Sequence, residues 1–299
     1  ALAKLGATKE ERAAKCGDDL ERAWLHAVET LFGEGTRNER WTRYSDELSA
    51  MSRRNPHDVE IGAFRALSIL GTSFGGRDTR SYMRAAGTAQ PFYRKHPDHP
   101  GLLHYLIHCY DDPIHAPLGL EMARRYDKVA PDAGHALHMP SHIYVALGMW
   151  PESVRANIAS FAAGDARRDL KGLGIDARNW HAAQWLHYSR MQQGQVALAA
   201  EVLDVILRDH EEHKSRRVRA HVIMMRTAHL IETEKWTGEL AQFDVDLADL
   251  SKPLKASEYF VRAQRGLAAG EPDQAPAALQ AVMALSPLDP LHYGMLANQ

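Results

Sequence analysis

The segments PDHPGLLHYLIHCY (residues 97–110) and PDAGHALHMPSHIY (residues 131–144) are two copies of one pattern at a 34-residue offset. The identical positions pair Pro97 with Pro131, Asp98 with Asp132, Leu103 with Leu137, His104 with His138, His108 with His142 and Tyr110 with Tyr144. Apolar residues in both copies recur at spacings of three and four, which indicates helix rather than strand. A helical segment that returns at a fixed interval predicts a repeat architecture.

This offset matches the period of the tetratricopeptide repeat, a pair of antiparallel helices. Such a hairpin cannot bury its apolar face alone, so it stacks on its neighbours. The second copy continues as ALGMWPESVRANIASF (residues 146–161), where Gly148 predicts the turn into a second helix. The repeat therefore consists of a histidine-bearing first helix, a turn and a second helix.

The rest of the chain follows a looser version of this plan. Helix-forming alanine, leucine, glutamate and arginine dominate, and turns at Gly194 and Gly270 separate further helices. We predict an all-α protein, a single right-handed α-solenoid of tetratricopeptide-like helical hairpins over residues 1–299. Its core repeats occupy residues 97–164 and its looser repeats residues 176–290.

The composition excludes several classes of protein. The chain has 36 Lys and Arg against 38 Asp and Glu, a net charge of -2 and no dense basic segment, so we expect no nucleic-acid partner. A mean hydropathy of -0.40 and the lack of an apolar run of about 18 residues predict no membrane span. Two cysteines are too few for a disulfide framework. The opening segment ALAKLGATKEERAAK shows no signal-peptide pattern, which favours the cytoplasm, although a processed exported chain would look the same.

Histidine is the unusual residue of this sequence. Eight of the 17 histidines lie between His96 and His142, a stretch that spans both copies of the pattern. His104 and His108 are four residues apart, so they share one helix face, and Asp111 is expected to continue that row three residues later. The second row consists of His135, His138 and His142.

These two rows predict a metal site. Neutral imidazole is the commonest metal ligand in proteins, and a pair four residues apart on a helix chelates from a rigid backbone. Packed helices have axes about 8–10 Å apart, so imidazoles from neighbouring first helices can reach one ion. We predict a transition-metal site on the concave face, and zinc, copper or iron suits imidazole better than calcium or magnesium does. The predicted ligands are His104, His108, His135, His138 and His142.

Other residues near the two rows are candidates for chemistry or ligand binding. Asp111 is a metal ligand, a partner that fixes a histidine tautomer, or a proton acceptor, and Tyr144 is the second candidate catalytic residue. The candidate ligand-binding residues are His181, Tyr105 and His115, of which His181 either adds a metal ligand or closes one wall of the groove.

Several enzyme motifs are missing. HYLIH is not the zincin motif HExxH, because Tyr105 stands where the glutamate base belongs. The sequence has no GxSxG nucleophile motif, no phosphate-binding loop and no dinucleotide fingerprint. Pro140 within HMPSH either begins a short helix or kinks a longer one, and in both cases it redirects the histidines around it.

The strings HYLIHCYDDP (residues 104–113) and HALHMPSHI (residues 135–143) resemble a bacterial family of tetratricopeptide-repeat proteins. The resemblance is close from Ala7 to Phe161 and becomes looser further on. The family usually has a further repeat region before the segment that ATKEERA resembles, and a small residue where this chain has Cys109. The resemblance implies a tetratricopeptide-like fold and a shared histidine site, and it brings no established reaction.

Three functions remain open. The first, which we favour, is a metal-binding solenoid whose ion either stabilises the concave face or presents a site to a small-molecule or peptide ligand in the groove. The second is a metal-dependent enzyme that activates water or dioxygen at an open coordination position. The third is a peptide-binding scaffold without metal, in which the histidines are hydrogen-bonding groups. The residues give no oligomeric state.

Overall fold

The computed structural model describes residues 2–271 and 273–285 and contains no strand in these residues. The chain divides into two compact units, Ala1–Val129 and Ala130–Gln299. The helices of the first unit are α1 (Leu2–Leu5), α2 (Lys9–Ala13), α3 (Asp19–Leu31), α4 (Arg37–Arg54), α5 (Val59–Gly71), α6 (Thr79–Tyr93), α7 (Pro100–Tyr110) and α8 (Ala116–Val129). Those of the second are α9 (Gly134–His138), α10 (Pro140–Ala146), α11 (Trp150–Leu170), α12 (Trp180–Gln192), α13 (Val196–Glu212), α14 (Arg216–Thr233), α15 (Glu239–Gln242), α16 (Lys252–Ala268) and α17 (Gln274–Met283).

The predicted fold class is confirmed within each unit, since consecutive helices pack on one another as tetratricopeptide-like hairpins. In the first unit each helix from α3 to α7 packs on the next, and α5 also packs on α7. In the second unit α11 packs on α12, and α12 packs on both α13 and α14. That one solenoid covers residues 1–299 stays a prediction, and the last part of the looser repeats, 286–290, lies outside the described residues.

The 34-residue period sets where helices begin. The first helix of each copy starts at Pro100 and at Gly134, and the second helix starts at Ala116 and at Trp150. Both pairs of starts are separated by the same period. Gly148 has a φ of 68° in the turn before α11, a left-handed conformation that glycine adopts without steric cost.

The histidine-bearing helix of the second copy is broken in two. Met139 keeps helical angles, with φ -52° and ψ -38°, and Pro140 is the first residue of α10. Proline has no N–H to donate and its ring clashes with the preceding turn, so the continuous hydrogen-bond ladder stops there. His138 therefore ends one short helix, and His142 lies in the first turn of the next.

The core of the second unit holds the start of α12 in place. Trp180, the first residue of α12, is fully buried and packs on the Phe161 ring at a centroid distance of 6.0 Å. The side chain of Asn179 caps the helix by accepting from the Ala182 N–H. Because Trp180 anchors this turn, the position of the next residue, His181, is fixed by the packing of α12 on α11.

Among the residues that the structure describes, no helix combines the length and the apolar character needed to cross a membrane.

Candidate functional site

Three histidines of the second unit converge on one point: His138, His142 and His181. One ring nitrogen from each lies within 4.8 Å of those of the other two, close enough for the three to hold a metal ion. The His138 ring centroid is 5.0 Å from that of His142 and 4.5 Å from that of His181. A tetrahedral zinc with bonds of about 2.0–2.1 Å holds its nitrogen ligands about 3.4 Å apart, so small ring rotations complete the geometry.

Asn157 in α11 fixes the orientation of the His138 ring. The Asn157 Nδ2 donates to the backbone carbonyl of Ser153 at 2.9 Å, which turns its Oδ1 toward His138. His138 Nδ1 lies 2.7 Å from that oxygen and donates to it, so the lone pair of the neutral ring is on Nε2. This Nε2 is buried and has no hydrogen-bond partner among the described residues. Metal-binding histidines are typically held in this way, with the second ring nitrogen donating to a fixed acceptor.

Burial keeps two of the three imidazoles, those of His138 and His181, uncharged. It lowers the pKa of His138, which is 1% exposed, to about 3, and the Asn157 hydrogen bond opposes this only in part. Burial likewise lowers the pKa of His181 to about 4, and charge on His142 would lower it further. Both rings are therefore neutral at neutral pH, the form in which imidazole binds a metal.

Trp185 forms one wall of the histidine cluster. Its ring centroid lies 4.6 Å from that of His142, 5.2 Å from that of His138 and 5.9 Å from that of His181. His181 and Trp185 are four residues apart in α12 and so share one helix face. An indole this close limits the access of water and so sets the polarity around a bound ion.

Two more histidines lie at the edge of the cluster. His135 is exposed, its ring centroid is 6.4 Å from that of His138, and burial of part of the ring lowers its pKa. It is not one of the three converging residues. His221 in α14 has Nδ1 2.8 Å from the Arg217 carbonyl, which leaves Nε2 as the lone-pair nitrogen. Charge on His221 contributes to the lowered pKa of His181, which places the two rings in the same neighbourhood.

The predicted pair in the first unit, His104 and His108, has its two rings in contact. The Nε2 atoms of His104 and His108 are 3.0 Å apart, and their rings are stacked with centroids 4.9 Å apart. The Tyr126 hydroxyl lies 3.3 Å from His104 Nδ1. The contact between the two Nε2 atoms is a hydrogen bond when one ring is protonated there, and two nitrogens at this separation also suit adjacent ligands of one ion. Metal binding by this pair stays a prediction.

Asp111 is the C-cap residue of α7, and its place in the row of His104 and His108 stays a prediction. Helix α7 ends at Tyr110, and Asp111 is the residue after it, with φ -74° and ψ 67°. Arg77 ends the helix by donating to the carbonyls of His108 at 3.1 Å and Cys109 at 2.7 Å. The catalytic role suggested for Asp111 stays a prediction.

The turn after α7 is held together by Asp112. Its carboxylate accepts from Arg77 at 2.6 Å and from His115 Nδ1 at 2.9 Å. Burial alone would raise the pKa of Asp112, but the hydrogen bonds from His115 and Arg77 outweigh it and lower the pKa to about 2. His115, a predicted ligand-binding residue, is thus engaged in holding this turn.

The two predicted tyrosines pack into the protein. Tyr105 is half-buried against the Phe64 ring, at a centroid distance of 6.4 Å, and burial raises its pKa. Tyr144 is 7% exposed in α10. It follows His142 by two residues, which on a helix turns its side chain about 200° away. Neither position contradicts ligand binding, and neither supports it.

Asn157 and Tyr126, which contact the Nδ1 atoms of His138 and His104, were not identified from the sequence. Asn157 lies three residues before Ser160 on the buried face of the second helix and is itself fully buried. A polar amide among the packing positions of a helix was the signal, because a buried amide requires partners.

Comparison with known proteins gives no family for this chain and a weak likeness to solved structures. No family model matches the chain, and no curated protein matches it. Among solved structures, a human IFIT1 dimer with m7Gppp-AAAA shows 15% identity over 94% of this chain and 67% of its own, with a TM-score of 0.44. A monomeric IFIT1 mutant with Gppp-AAAA shows 13% identity over 94% of this chain and 66% of its own, also with a TM-score of 0.44. The chain thus spans about two thirds of the length of these proteins. A likeness of this size says nothing about the ligands of this chain.

Proposed function

We propose that this protein binds one transition-metal ion through His138, His142 and His181. The observation that carries the proposal is the buried Nε2 of His138, which is aligned by Asn157 and has no hydrogen-bond partner in the described part of the chain. A buried polar atom without a partner costs free energy, so a native structure normally gives it one. An ion held by this nitrogen and by the two neighbouring rings would supply that partner.

The donor set favours particular metals. Three neutral imidazoles suit zinc, copper, iron or nickel, whereas calcium and magnesium require oxygen ligands. Of the residues that the structure describes, no carboxylate belongs to the converging group, which further disfavours the hard cations. Within this set zinc fits best, because three histidines plus one further ligand is a common tetrahedral zinc arrangement.

The first test is the metal content of protein purified without an affinity tag or added metal, together with its absorption spectrum. We expect about one equivalent of a transition metal, held by the three imidazoles. A control variant is His57→Ala, which removes an exposed histidine outside the cluster and should leave the metal content unchanged. Protein that carries no metal and takes up no zinc, copper or iron would overturn the proposal and favour the peptide-binding scaffold.

A metal-dependent enzyme is the second candidate function. Three protein ligands leave one position of a tetrahedral ion open, the arrangement found in catalytic zinc sites, where bound water is activated. Trp185 beside the rings supports this candidate because it restricts solvent around that position.

Cobalt substitution tests whether the position is open. Azide added to the cobalt protein should shift the visible absorption bands if azide can replace a bound water. An unchanged spectrum would show a closed site and leave metal binding without catalysis. The small-molecule or peptide ligand expected from the sequence would occupy the same open position.

A further inference from the structure

A groove lies between α1 and α3 in the first unit. Its volume is about 620 Å³, and its wall is mainly apolar, with Leu2, Leu5, Leu25, Val28 and Phe32 among the lining residues. Clefts of about 300–1,000 Å³ with an apolar lining and a few polar groups are typical of sites for small molecules. We call it the α1–α3 groove.

Helix α3 carries two apolar faces, and the α1–α3 groove lies against the second of them. The first face, with the buried Ala27 and its neighbour Leu31, packs into the core that α3 forms with α4 and α5. The second face consists of Leu25, Val28 and Phe32, which follow one another at helical spacings of three and four. Val28 is 36% exposed and Phe32 is 72% exposed. A contiguous exposed apolar patch marks a binding surface, whereas scattered apolar side chains do not.

The charged groups of the α1–α3 groove are cationic. Among the described residues of its lining, Arg12 and Lys15 carry charge and no side chain is acidic. Arg12 is neutralised by Glu29, with Nε 2.6 Å from the carboxylate and both side chains largely buried. Lys15 is exposed and donates from Nζ to the Leu5 carbonyl, which holds its ammonium group beside α1. An ammonium has three N–H donors, so Lys15 can also donate to an anion in the groove.

The size of the α1–α3 groove favours a narrow ligand over a protein helix. The apolar face from Leu25 to Phe32 is about 10 Å long at 1.5 Å per residue. A helix segment of this length, with a diameter of about 10–12 Å including side chains, occupies roughly 800–1,200 Å³. The groove is smaller than that, so it cannot enclose a helix. A single hydrocarbon chain is much thinner and can lie along the apolar face.

We propose that the α1–α3 groove binds a fatty acid, with its hydrocarbon chain on Leu25, Val28 and Phe32 and its carboxylate on the Lys15 ammonium. A carboxylic acid ionises near pH 4, so the head group is negative at neutral pH and complements the single available cation. The groove lies within the first unit and contains none of the proposed metal ligands. This inference therefore goes beyond the proposed function and does not depend on it.

The experiment is a calorimetric titration with decanoate, octanoate and 1-decanol. Decanoate should bind about tenfold more tightly than octanoate, because each further buried methylene strengthens binding about three- to fourfold. Val28→Asn places an amide on the apolar face and should weaken the binding of decanoate and of decanol about tenfold. The control Leu198→Asn makes a similar change at an exposed position of α13 and should leave both affinities unchanged.

A second pair of variants tests the charge. Lys15→Gln should weaken decanoate binding about two- to fivefold, the usual range for an exposed ion pair, while the affinity for decanol stays the same. The matched control is Lys4→Gln, an exposed lysine of α1 that does not line the groove, and it should leave decanoate binding unchanged. Circular dichroism checks that all the variants are folded.

The thiol of Cys16 gives an independent measure of occupancy. Cys16 lines the groove and is half-buried, whereas the only other cysteine, Cys109, is fully buried. Alkylation by iodoacetamide should therefore modify Cys16 first, and saturating decanoate should slow this reaction because the bound chain covers the thiol.

Several results would overturn the proposal. They are no binding of decanoate, unchanged affinity in Val28→Asn, equal effects of Lys15→Gln on decanoate and decanol, or alkylation of Cys16 at the same rate with and without decanoate. A protein that sediments as a dimer, with Cys16 protected before any decanoate is added, would show that a second copy of the chain covers the groove and would also overturn it.

Discussion

The two copies of the histidine pattern share six of their 14 residues, including both histidines of the pair, and have different surroundings. In the first copy His104 and His108 share one unbroken helix, and their Nε2 atoms lie 3.0 Å apart. In the second copy Pro140 divides the helix, and His138 and His142 meet a third histidine, His181, from another hairpin.

The second helices of the two copies also carry different residues at the positions that contact the histidines. With the 34-residue offset, Asn157 corresponds to Ala123, and Ser160 corresponds to Tyr126. The amide that orients His138 is therefore missing from the first copy, where the Tyr126 hydroxyl faces the inner nitrogen of His104. The comparison teaches that the same histidine pair meets different partners in the two copies, and under our proposal the residues that orient and complete the second pair make it the metal site.

The largest expected effect comes from removing each pair in turn. His138→Ala with His142→Ala should reduce the bound metal from about one equivalent to none, since only one ligand of three remains. His104→Ala with His108→Ala should leave most of it. Metal analysis of both double variants makes the measurement, and equal losses would instead support the prediction that both pairs bind metal.

The next effect concerns orientation. Asn157→Ala gives the second copy the residue that the first copy has, and it should weaken zinc binding about 10- to 100-fold while all three ligands remain. Tyr126→Phe, which removes the hydroxyl facing His104, should change zinc affinity much less. Competition against a zinc-binding dye measures both. A loss of zinc affinity in Tyr126→Phe as large as that in Asn157→Ala would contradict the assignment of the metal site to the second copy.

Low pH should lower the stability of the second unit more than that of the first. Among the described residues, the buried histidines are His138, His187, His210 and His229, all in the second unit. Burial lowers each pKa, so the unfolded chain binds protons that the folded chain does not, and the free energy of unfolding falls as the pH drops below about 6.5.

Hydrogen exchange at pH 7 and pH 5 checks this order, with protection in the second unit expected to fall first. For His187 the pKa is lowered to about 3, so this group alone contributes a slope of about 1.4 kcal/mol per pH unit between about pH 6 and 4. His187→Phe should make denaturant-measured stability less dependent on pH by that amount. An unchanged slope would mean that His187 is not held neutral.

The smallest effect lies in the turns. Gly148→Ala should lower the free energy of unfolding by about 1 kcal/mol, because φ is 68° and an alanine Cβ would meet no other described atom, which leaves backbone strain as the only cost. The corresponding residue of the first copy is Ile114, which is 83% exposed, and Ile114→Ala should be nearly neutral. Urea unfolding of both variants measures the difference. A neutral Gly148→Ala would show that the turn can change conformation.

Local features were predictable because neighbouring residues encode them. The 34-residue period predicted equivalent helices in the two copies, which the structure starts 34 residues apart, and Gly148 predicted the turn. Pro140 was identified as a break or a kink, and the structure has it at the first position of a new helix. The contacts at the end of α7 were not predictable in this way, because they come from Arg77, which precedes α6 in the chain and is far in sequence from the His108 and Cys109 carbonyls that it binds.

The sequence by itself determined an all-α chain of tetratricopeptide-like hairpins and the histidine pairs on its first helices. Helical period, turn residues and short spacings are properties of the local chain, so they can be worked out without coordinates. Only the tertiary structure decided that His181 joins His138 and His142 and that Asn157 orients His138. These contacts join residues that are distant in sequence and lie on separate helices, and their distances follow from how the helices pack rather than from any local pattern.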